Sequence, residues 1–588
     1  MCGIAGVMMG GGQAPDQGVL HRLVQAMAHR GPDGSGVYAR DDVGLAHTRL
    51  AIIDLETGDQ PLIAPDGVTL IGNAEIYNDP ELRAGMSDAP YATRSDCESP
   101  LHLYRREGEG FADHLRGMYA LAIHDPTRGR LVLARDPFGI KPIYYVQTDR
   151  LFAFASEPQA LIKSGLAGRG LNPRQRAELL QLKFTVGAPT IFTDIQRLEP
   201  GETVIVEGGR ITARRRQAML PKAGPVRAPA NQLAERLDAI LMDTVSHHLR
   251  SDVPYGLFLS GGIDSAVLVT LMARFSSQPV FALTAGFPDS AGADETGQAA
   301  RVARAAGADH HVVEMTHKDF WALAPQIAAA LDDPCTDGAA LPSFMLARAA
   351  AGRLKVVLNG AGADEIFGGY TRYRRARWLG FLAGRSRGTG VFDKGFGAAP
   401  ALHGWRDELE RVSRAEAGHG RTVIQKLQAI DAEEWLPNDV LLVLDRCLMA
   451  HGVEGRTPFL DPPTADFGYR LADELKVKGK FGKWLLRGWL DQALPEAAAF
   501  ARKTGFVPPV GEWIAAQECR LSELVSAQPG VAETFSREFV RAVLADPVKN
   551  AQAAWNLLFY ALWHNHHVLG LPADGAIDEV LAEASRRG

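Results

Sequence analysis

One short stretch, Leu257-Phe258-Leu259-Ser260-Gly261-Gly262-Ile263-Asp264-Ser265, constrains the fold of this chain more than any other. An apolar run stops at two glycines, and a helix-like pattern from Ala266 to Ala273 follows. That order predicts a buried strand, a tight turn and a helix start. Gly261 and Gly262 let backbone N–H groups face inward with no Cβ in the way. Ser260, Asp264 and Ser265 add hydroxyls and a carboxylate at the positive end of the new helix. Together they form a nest suited to a polyphosphate. No Gly-Lys-Ser/Thr closes the loop, so it is not a Walker loop. Two glycines alone would mark an ordinary strand–turn–helix; the three polar residues in register favour the phosphate.

Beyond that turn, helices alternate with short buried strands. Residues 232–249 read as a helix with one apolar face, 280–286 as a strand, 299–306 as a helix, and 311–314 and 354–358 as further strands. Such alternation predicts a parallel, doubly wound sheet that binds ligands at the carboxyl ends of its strands. Motifs fall at those ends. Gly286 closes one strand, before Asp294-Glu295, and Asn359-Gly360-Ala361-Gly362-Ala363-Asp364-Glu365 follows another. Asp364 and Asp264 are placed to share a magnesium ion on the phosphates. Capping a helix is the other role open to Asp364. Lys483 and Lys503 are cations available to a polyphosphate anion, although most lysines are solvated surface residues. Residues 449–461 combine a helix end with a strongly patterned turn.

With 588 residues the chain is too long for one ordinary core. Three prolines between Pro221 and Pro229 mark a stiff linker, which predicts domains at 1–221 and 222–588. A net charge of -6 argues against nucleic acid as the main partner. No apolar run approaches the ~18 residues of a membrane span, and the N-terminus lacks a signal-peptide pattern. Five scattered cysteines, without zinc spacing, point to a reducing cytoplasm.

The first half carries different chemistry. Cys2 follows the initiator Met. With that Met removed, one residue would hold a thiol and an α-amine of pKa about 7.7–8.0, a nucleophile with its own base. A cysteine there serves equally well as a small buried hydrophobe. Other residues favour the nucleophile. Residues 48–54 read as a strand with Arg49 near its start, and Asn73-Ala74-Glu75 and Asp96 fall on strand ends and loops. An enzyme for a free amino acid needs a cation for the α-carboxylate, anions for the α-amine and an amide donor for an oxyanion. Arg49, Glu75 with Asp96, and Asn73 supply these.

Met1-Cys2-Gly3-Ile4-Ala5-Gly6, Arg30-Gly31-Pro32-Asp33, residues 134–142 and Phe154-Ala155-Ser156-Glu157 resemble a glutamine amidotransferase domain of the N-terminal-nucleophile type. The Ser-Gly-Gly-Ile-Asp-Ser string resembles the loop of ATP pyrophosphatases. Joined in this order, from Met1 to about His567, the strings resemble the glutamine-hydrolysing asparagine synthetases. The resemblance implies an α+β N-terminal-nucleophile hydrolase domain, two antiparallel sheets between helices. An α/β doubly wound ATP-pyrophosphatase domain with a helical C-terminal part follows it. It implies glutamine, ATP and aspartate as substrates and Mg2+ as cofactor, with a homodimer as a candidate assembly. Cys2 would attack glutamine, Asn73 and the Ala74 N–H would hold the oxyanion, and Arg49, Glu75 and Asp96 would hold the amino-acid end. Ser260, Gly261, Gly262, Asp264, Ser265, Gly286, Asn359, Gly360 and Lys483 would bind ATP and pyrophosphate.

Two departures from the family pattern stand out. The family usually has glycine at Ala74, so the oxyanion hole requires unstrained backbone there. It generally carries Ser-Gly-Glu-Gly where this chain has Asn359-Gly360-Ala361-Gly362. The resemblance gives that glutamate the proton handling when ammonia attacks, and Ala361 has no group for it. Glu365 and Asp333 are the candidate substitutes. Two alternatives remain open at this level: amidation of another carboxylate, or a glutamine-binding protein with a decayed synthetase half. His564, His566 and His567 lack nearby acids for a metal. The Arg372–Arg377 run reads as a solvated helix face, and residues 380–404 as a glycine-rich mobile loop. No internal repeat is present.

Overall fold

The computed structural model describes residues 2–289, 295–379, 389–393, 396, 402–416, 420–501, 508–516 and 520–587. Asp294, Lys503 and most of residues 380–404 lie outside them.

The first half forms two six-stranded sheets. One holds Gly3–Met9 between Val43–Arg49 and Leu151–Ala155. The other holds Gly117–Asp125 between Thr69–Ile76 and Arg130–Arg135. Neighbouring strands in both run antiparallel. The two-residue period of a strand builds the layers. Ile4 and Met8 pack inward against Ile71, Ala120 and Leu133 of the facing sheet. Ala5 and Val7 point outward onto Leu20 and Leu23 of the helix Gln17–Ala26. On the far side, Leu70, Tyr119 and Leu121 meet Leu101 and Tyr104 of the helix Glu98–Glu107. The expected helix–sheet–sheet–helix arrangement is therefore present.

Residues 217–229 carry neither helix nor strand. The second half then builds a five-stranded sheet in the spatial order Asp309–Glu314, Phe281–Gly286, Tyr255–Phe258, Val356–Leu358, Glu454–Arg456. Every pairing in it is parallel. The chain winds outward from Tyr255–Phe258 in one direction and returns to its other side at Val356–Leu358. The loops after these two strands therefore flank the switch point, where an open α/β sheet binds its ligand. Helices fill the C-terminal part, centred on the buried Ala551–His567.

Three expectations are corrected. Residues 48–54 are not one strand, since pairing ends at Arg49. Leu50–Asp54 instead bonds to loops, with the Ala51 N–H on Asp33 and the Asp54 N–H on Asp252. Glu454–Arg456 is a sheet strand rather than part of a turn. The arginine run is not simply solvated either. Tyr373 is fully buried and donates to Asp431, Arg372 pairs with the same carboxylate, and Arg374 donates to the Lys480 carbonyl.

The apolar cores do not respect the proline-rich joint. One cluster joins Leu50, Ile52, Phe138 and Ile140 to Leu257, Leu268 and Leu460. Another joins Ala5 and Leu161 to Phe320, Leu341 and Trp563.

Candidate active site

Cys2 lies immediately before Gly3–Met9 and is 8% exposed. Its main-chain N–H donates to Asn73 Oδ1 at 3.1 Å. That bond orients the Asn73 amide, and its Nδ2, fully buried, has no hydrogen-bond partner. An orphan buried donor is costly. Beside a nucleophile it is what an oxyanion hole presents before substrate arrives. Ala74 has no positive φ, so its methyl group brings no backbone strain. Burial pushes the Cys2 thiol up, while a hydrogen bond from the Leu50 backbone and the charge of Arg49 act the other way.

The three residues expected at the amino-acid end are all buried and engaged. Arg49 donates to Asp59 at 2.8 Å and to the Asp54 carbonyl at 2.5 Å. Asp96 accepts from the Ile76 N–H at 2.6 Å, and burial lifts its pKa to about 6. Glu75 pairs at 2.9 Å with Arg456, which belongs to the second sheet. Burial drives the Glu75 pKa well above the ordinary value, against the pull of Arg456.

Arg30 joins the two halves more directly. Its Nε donates to the Cys2 carbonyl at 3.2 Å, and its guanidinium donates to Glu157 at 2.8 Å and to Asp445 at 2.9 and 3.1 Å. Arg446 continues the chain, donating to Asp445 at 3.0 Å and to Asp332 at 2.8 Å. Asp445 and Arg446 sit on the helix Leu441–Met449, and Val443 and Leu444 of that helix line the second site. Arg30 and Glu157 stand in strings visible in the sequence, but nothing local shows that their partners Asp445 and Arg446 lie hundreds of residues away.

The second site is a cavity of about 400 Å³ at the switch point. Ser260, Asp264, Ser265, Asn359, Gly360, Ala361 and Asp364 line one part of it. Ser265 Oγ accepts from the Ser260 N–H at 3.0 Å and closes the loop over the helix Ile263–Phe275. Lys483 Nζ lies 2.7 Å from Asp264 and 2.8 Å from Asp364. Burial opposes its charge, yet these two carboxylates hold its pKa above the ordinary lysine value. Asp364 is thus committed to Lys483, and no side-chain cap closes its helix. Tight glycines permit the convergence: a Cβ at Gly360 would lie 2.7 Å from Asp264 Cβ, and one at Gly369 would lie 1.7 Å from Asp364 Oδ1. Two carboxylates drawn to one ammonium fit a hard divalent cation whose other ligands come from phosphate oxygens.

Gly286 ends its strand beside the cavity, whereas Thr284 and Ala285 form the wall. Glu295 also lines the cavity, and its carboxylate accepts from the Gly261 N–H at 3.1 Å. An acidic oxygen thereby sits on a donor of the phosphate loop. Asn359 is anchored by its Nδ2 on the Arg456 carbonyl at 3.0 Å, and its Oδ1 accepts from the Ala361 N–H at 3.0 Å.

A buried thiol with an orphan amide donor, coupled by a charge network to a phosphate-loop cavity, defines a two-centre ligase of the glutamine amidotransferase class. Comparison with known families agrees. A glutamine amidotransferase domain model matches residues 1–217, and the asparagine synthase model matches residues 236–565. Asparagine synthetase 1 of Bacillus subtilis (strain 168), named as glutamine-hydrolyzing, is 30% identical and aligns over 97% of each chain. Asparagine synthetase B of Escherichia coli (strain K12) is 29% identical over 84% of this chain and 79% of its own. The Asparagus officinalis enzyme is 29% identical over 87% and 78%. The chain belongs to the asparagine synthase family.

Proposed function

We propose that this protein makes asparagine from aspartate, ATP and glutamine, with a domain boundary at 221/222. The observation that carries the reading is the pairing of the Cys2–Asn73 centre with the Ser260–Asp264–Asp364–Lys483 cavity in one chain. Cys2 Sγ attacks the glutamine amide, and the α-amine freed by loss of Met1 takes the thiol proton. Asn73 Nδ2 and the Ala74 N–H hold the oxyanion, ammonia leaves, and water releases glutamate from the thioester. Arg49, Glu75 and Asp96 hold the amino-acid end, a role that requires their present partners to be shared with substrate.

In the cavity, the aspartate side-chain carboxylate attacks the α-phosphorus of ATP and pyrophosphate departs. The phosphate-loop N–H groups, Ser260, Ser265, Asn359 and Lys483 balance its charge. Asp264 and Asp364 would hold magnesium, which when bound supplies Lewis-acid charge neutralisation to the phosphates. Ammonia then displaces AMP. Excluding water protects both ammonia and the adenylate. Four described cysteines are free, in keeping with a reducing compartment such as the cytoplasm. Among the described residues no helix is long and apolar enough to cross a membrane. Glutamine, aspartate and ATP are the proposed partners.

Of the two acids considered for the missing glutamate, the surroundings favour Glu365. Asp333 is committed to Arg197 at 2.7 Å and to Tyr144 at 2.7 Å. Glu365 has a pKa lifted to about 7 by burial and the neighbouring Asp364. It accepts from the Tyr370 hydroxyl at 2.6 Å, and that hydroxyl accepts at 3.2 Å from Trp435, which lines the cavity. A base acting through an intermediary is slower than one in contact. Ala361→Glu, which places a carboxylate on the cavity wall, should raise ammonia-dependent asparagine formation, towards the ~10²–10⁴-fold worth of a general base. Steady-state assay of the variant with aspartate and ATP reads this; no gain would remove the base deficit. Pyrophosphate release screened across aspartate and other carboxylic acids tests the function itself, and clear preference for a different acid would replace aspartate.

A further inference from the structure

The strand that carries Asn73 and Ala74 loses one of its neighbours just before it reaches them. Thr69–Ile76 pairs with Gly117–Asp125 along its whole length on one side. On the other side, Leu62–Ile63 meets only Thr69 and Leu70. In an antiparallel sheet every second residue turns its N–H and C=O to the same side. The Val68 carbonyl accepts from the Ala64 N–H at 2.9 Å, so Leu70, Gly72, Ala74 and Ile76 form the row that faces the shorter strand. Beyond Leu70, side chains replace that strand. Gln60 Oε1 accepts from the Gly72 N–H at 2.6 Å, and Asp96 Oδ2 accepts from the Ile76 N–H at 2.6 Å. The Cys97 thiol reaches the Ala74 carbonyl at 3.9 Å from the same side. The Ala74 N–H therefore opens between two clasped neighbours.

Gln60 is itself firmly seated. It is buried, and its main chain lies against Gly36 of Gly34–Arg40, the edge strand of the other sheet. A Cβ at Gly36 would collide with the Gln60 carbonyl oxygen. Resting on one sheet, Gln60 thus bonds the open edge of the other. Asn73, the next residue after Gly72, has the opposite phase. Like Ile71 two residues earlier, it points into the space between the sheets, where its Oδ1 takes the Cys2 N–H. A slip at Gly72 would move both oxyanion donors together.

We propose that Gln60 is a positioning residue for the oxyanion hole, a step that rests on the reading of Cys2 as the glutamine nucleophile. Its amide oxygen stands in for the missing strand partner. It fixes the strand where Asn73 Nδ2 and the Ala74 N–H must meet the oxygen of the tetrahedral intermediate. Such donors work only when they are held in place before charge develops. Without the acceptor, the buried Gly72 N–H is left unpaired, and the strand has to shift to find water or another oxygen. Gln60 acts through the strand, not on the substrate.

The test measures glutamine hydrolysis by the full-length protein. Gln60→Met keeps the length of the side chain and removes the acceptor. It should lower kcat by roughly 10–100-fold and leave the KM for glutamine within about 3-fold. Gln60→Asn, one methylene too short to reach Gly72, should fall alike, and it carries the test if the methionine variant does not fold. Gln60→Glu retains an accepting oxygen and should stay within about 5-fold of the parent. In an Asn73→Ala background, Gln60→Met should cost at least about 5-fold less than it does alone, because one of the donors it serves is already gone. Losses that multiply in full would mark a merely structural glutamine and overturn the proposal. So would a raised KM with unchanged kcat, a methionine or asparagine variant with the parental kcat, or a glutamate variant that falls as far as these. Each of those results leaves the Cys2 reading standing, since the parent still hydrolyses glutamine. A parent protein that hydrolyses none overturns both.

Discussion

Cys2→Ala should abolish glutamine-dependent asparagine formation, by about 10³-fold or more, while synthesis from added ammonium salt continues near the parental rate. The contacts explain the selectivity. Cys2 is tied to its surroundings by its main-chain N–H on Asn73 and its carbonyl under Arg30, and alanine keeps both. The lost sulfur leaves a small gap beside Leu50, too local to disturb the cavity at the second sheet. Parallel assays with glutamine and with ammonium read the split, and equal loss of both activities would show that the two centres are not chemically distinct.

Asp264→Ala should remove pyrophosphate chemistry with either nitrogen source, by roughly 10³-fold, since charge neutralisation at phosphate is worth several kcal/mol. Glutamine hydrolysis should persist. Alanine also deprives the buried Lys483 of one of its two carboxylates. Asp264→Asn separates these effects: it can still accept a hydrogen bond from Lys483 but offers a poor ligand to a hard cation. If asparagine restores pyrophosphate release, Asp264 only positions the lysine. If alanine itself releases pyrophosphate normally, the residue leaves the phosphate site altogether.

What could be read in advance was whatever depends on local pattern. The phosphate loop was legible because an apolar run, two glycines and a polar helix start sit within nine consecutive residues from Leu257 to Ser265. Asn73 and Cys2 were legible through residue chemistry and resemblance, although nothing in the sequence shows the bond between them. Glu454–Arg456 was misread because two of its three residues are charged, and charge normally argues against a buried strand. Here Arg456 is neutralised by Glu454 on its own strand and by Glu75 in the other sheet. Glu365 and Asp333 looked equivalent as acids; only their partners, Tyr370 in one case and Arg197 in the other, tell them apart.

The charges linking Arg30, Glu157, Asp445, Arg446 and Asp332 set a limit on modularity. Each of these groups is nearly or fully excluded from solvent and is balanced by a partner on another segment. Removing one side of such a pair strands a buried charge at a cost of about 3–5 kcal/mol, a large share of an ordinary domain's stability. Apolar clusters shared across the same boundary would be laid bare as well. The glutamine-cleaving half is therefore not an exchangeable cassette. A graft from a distant relative would have to bring its counter-charges with it, so the two halves are bound to change together over evolutionary time.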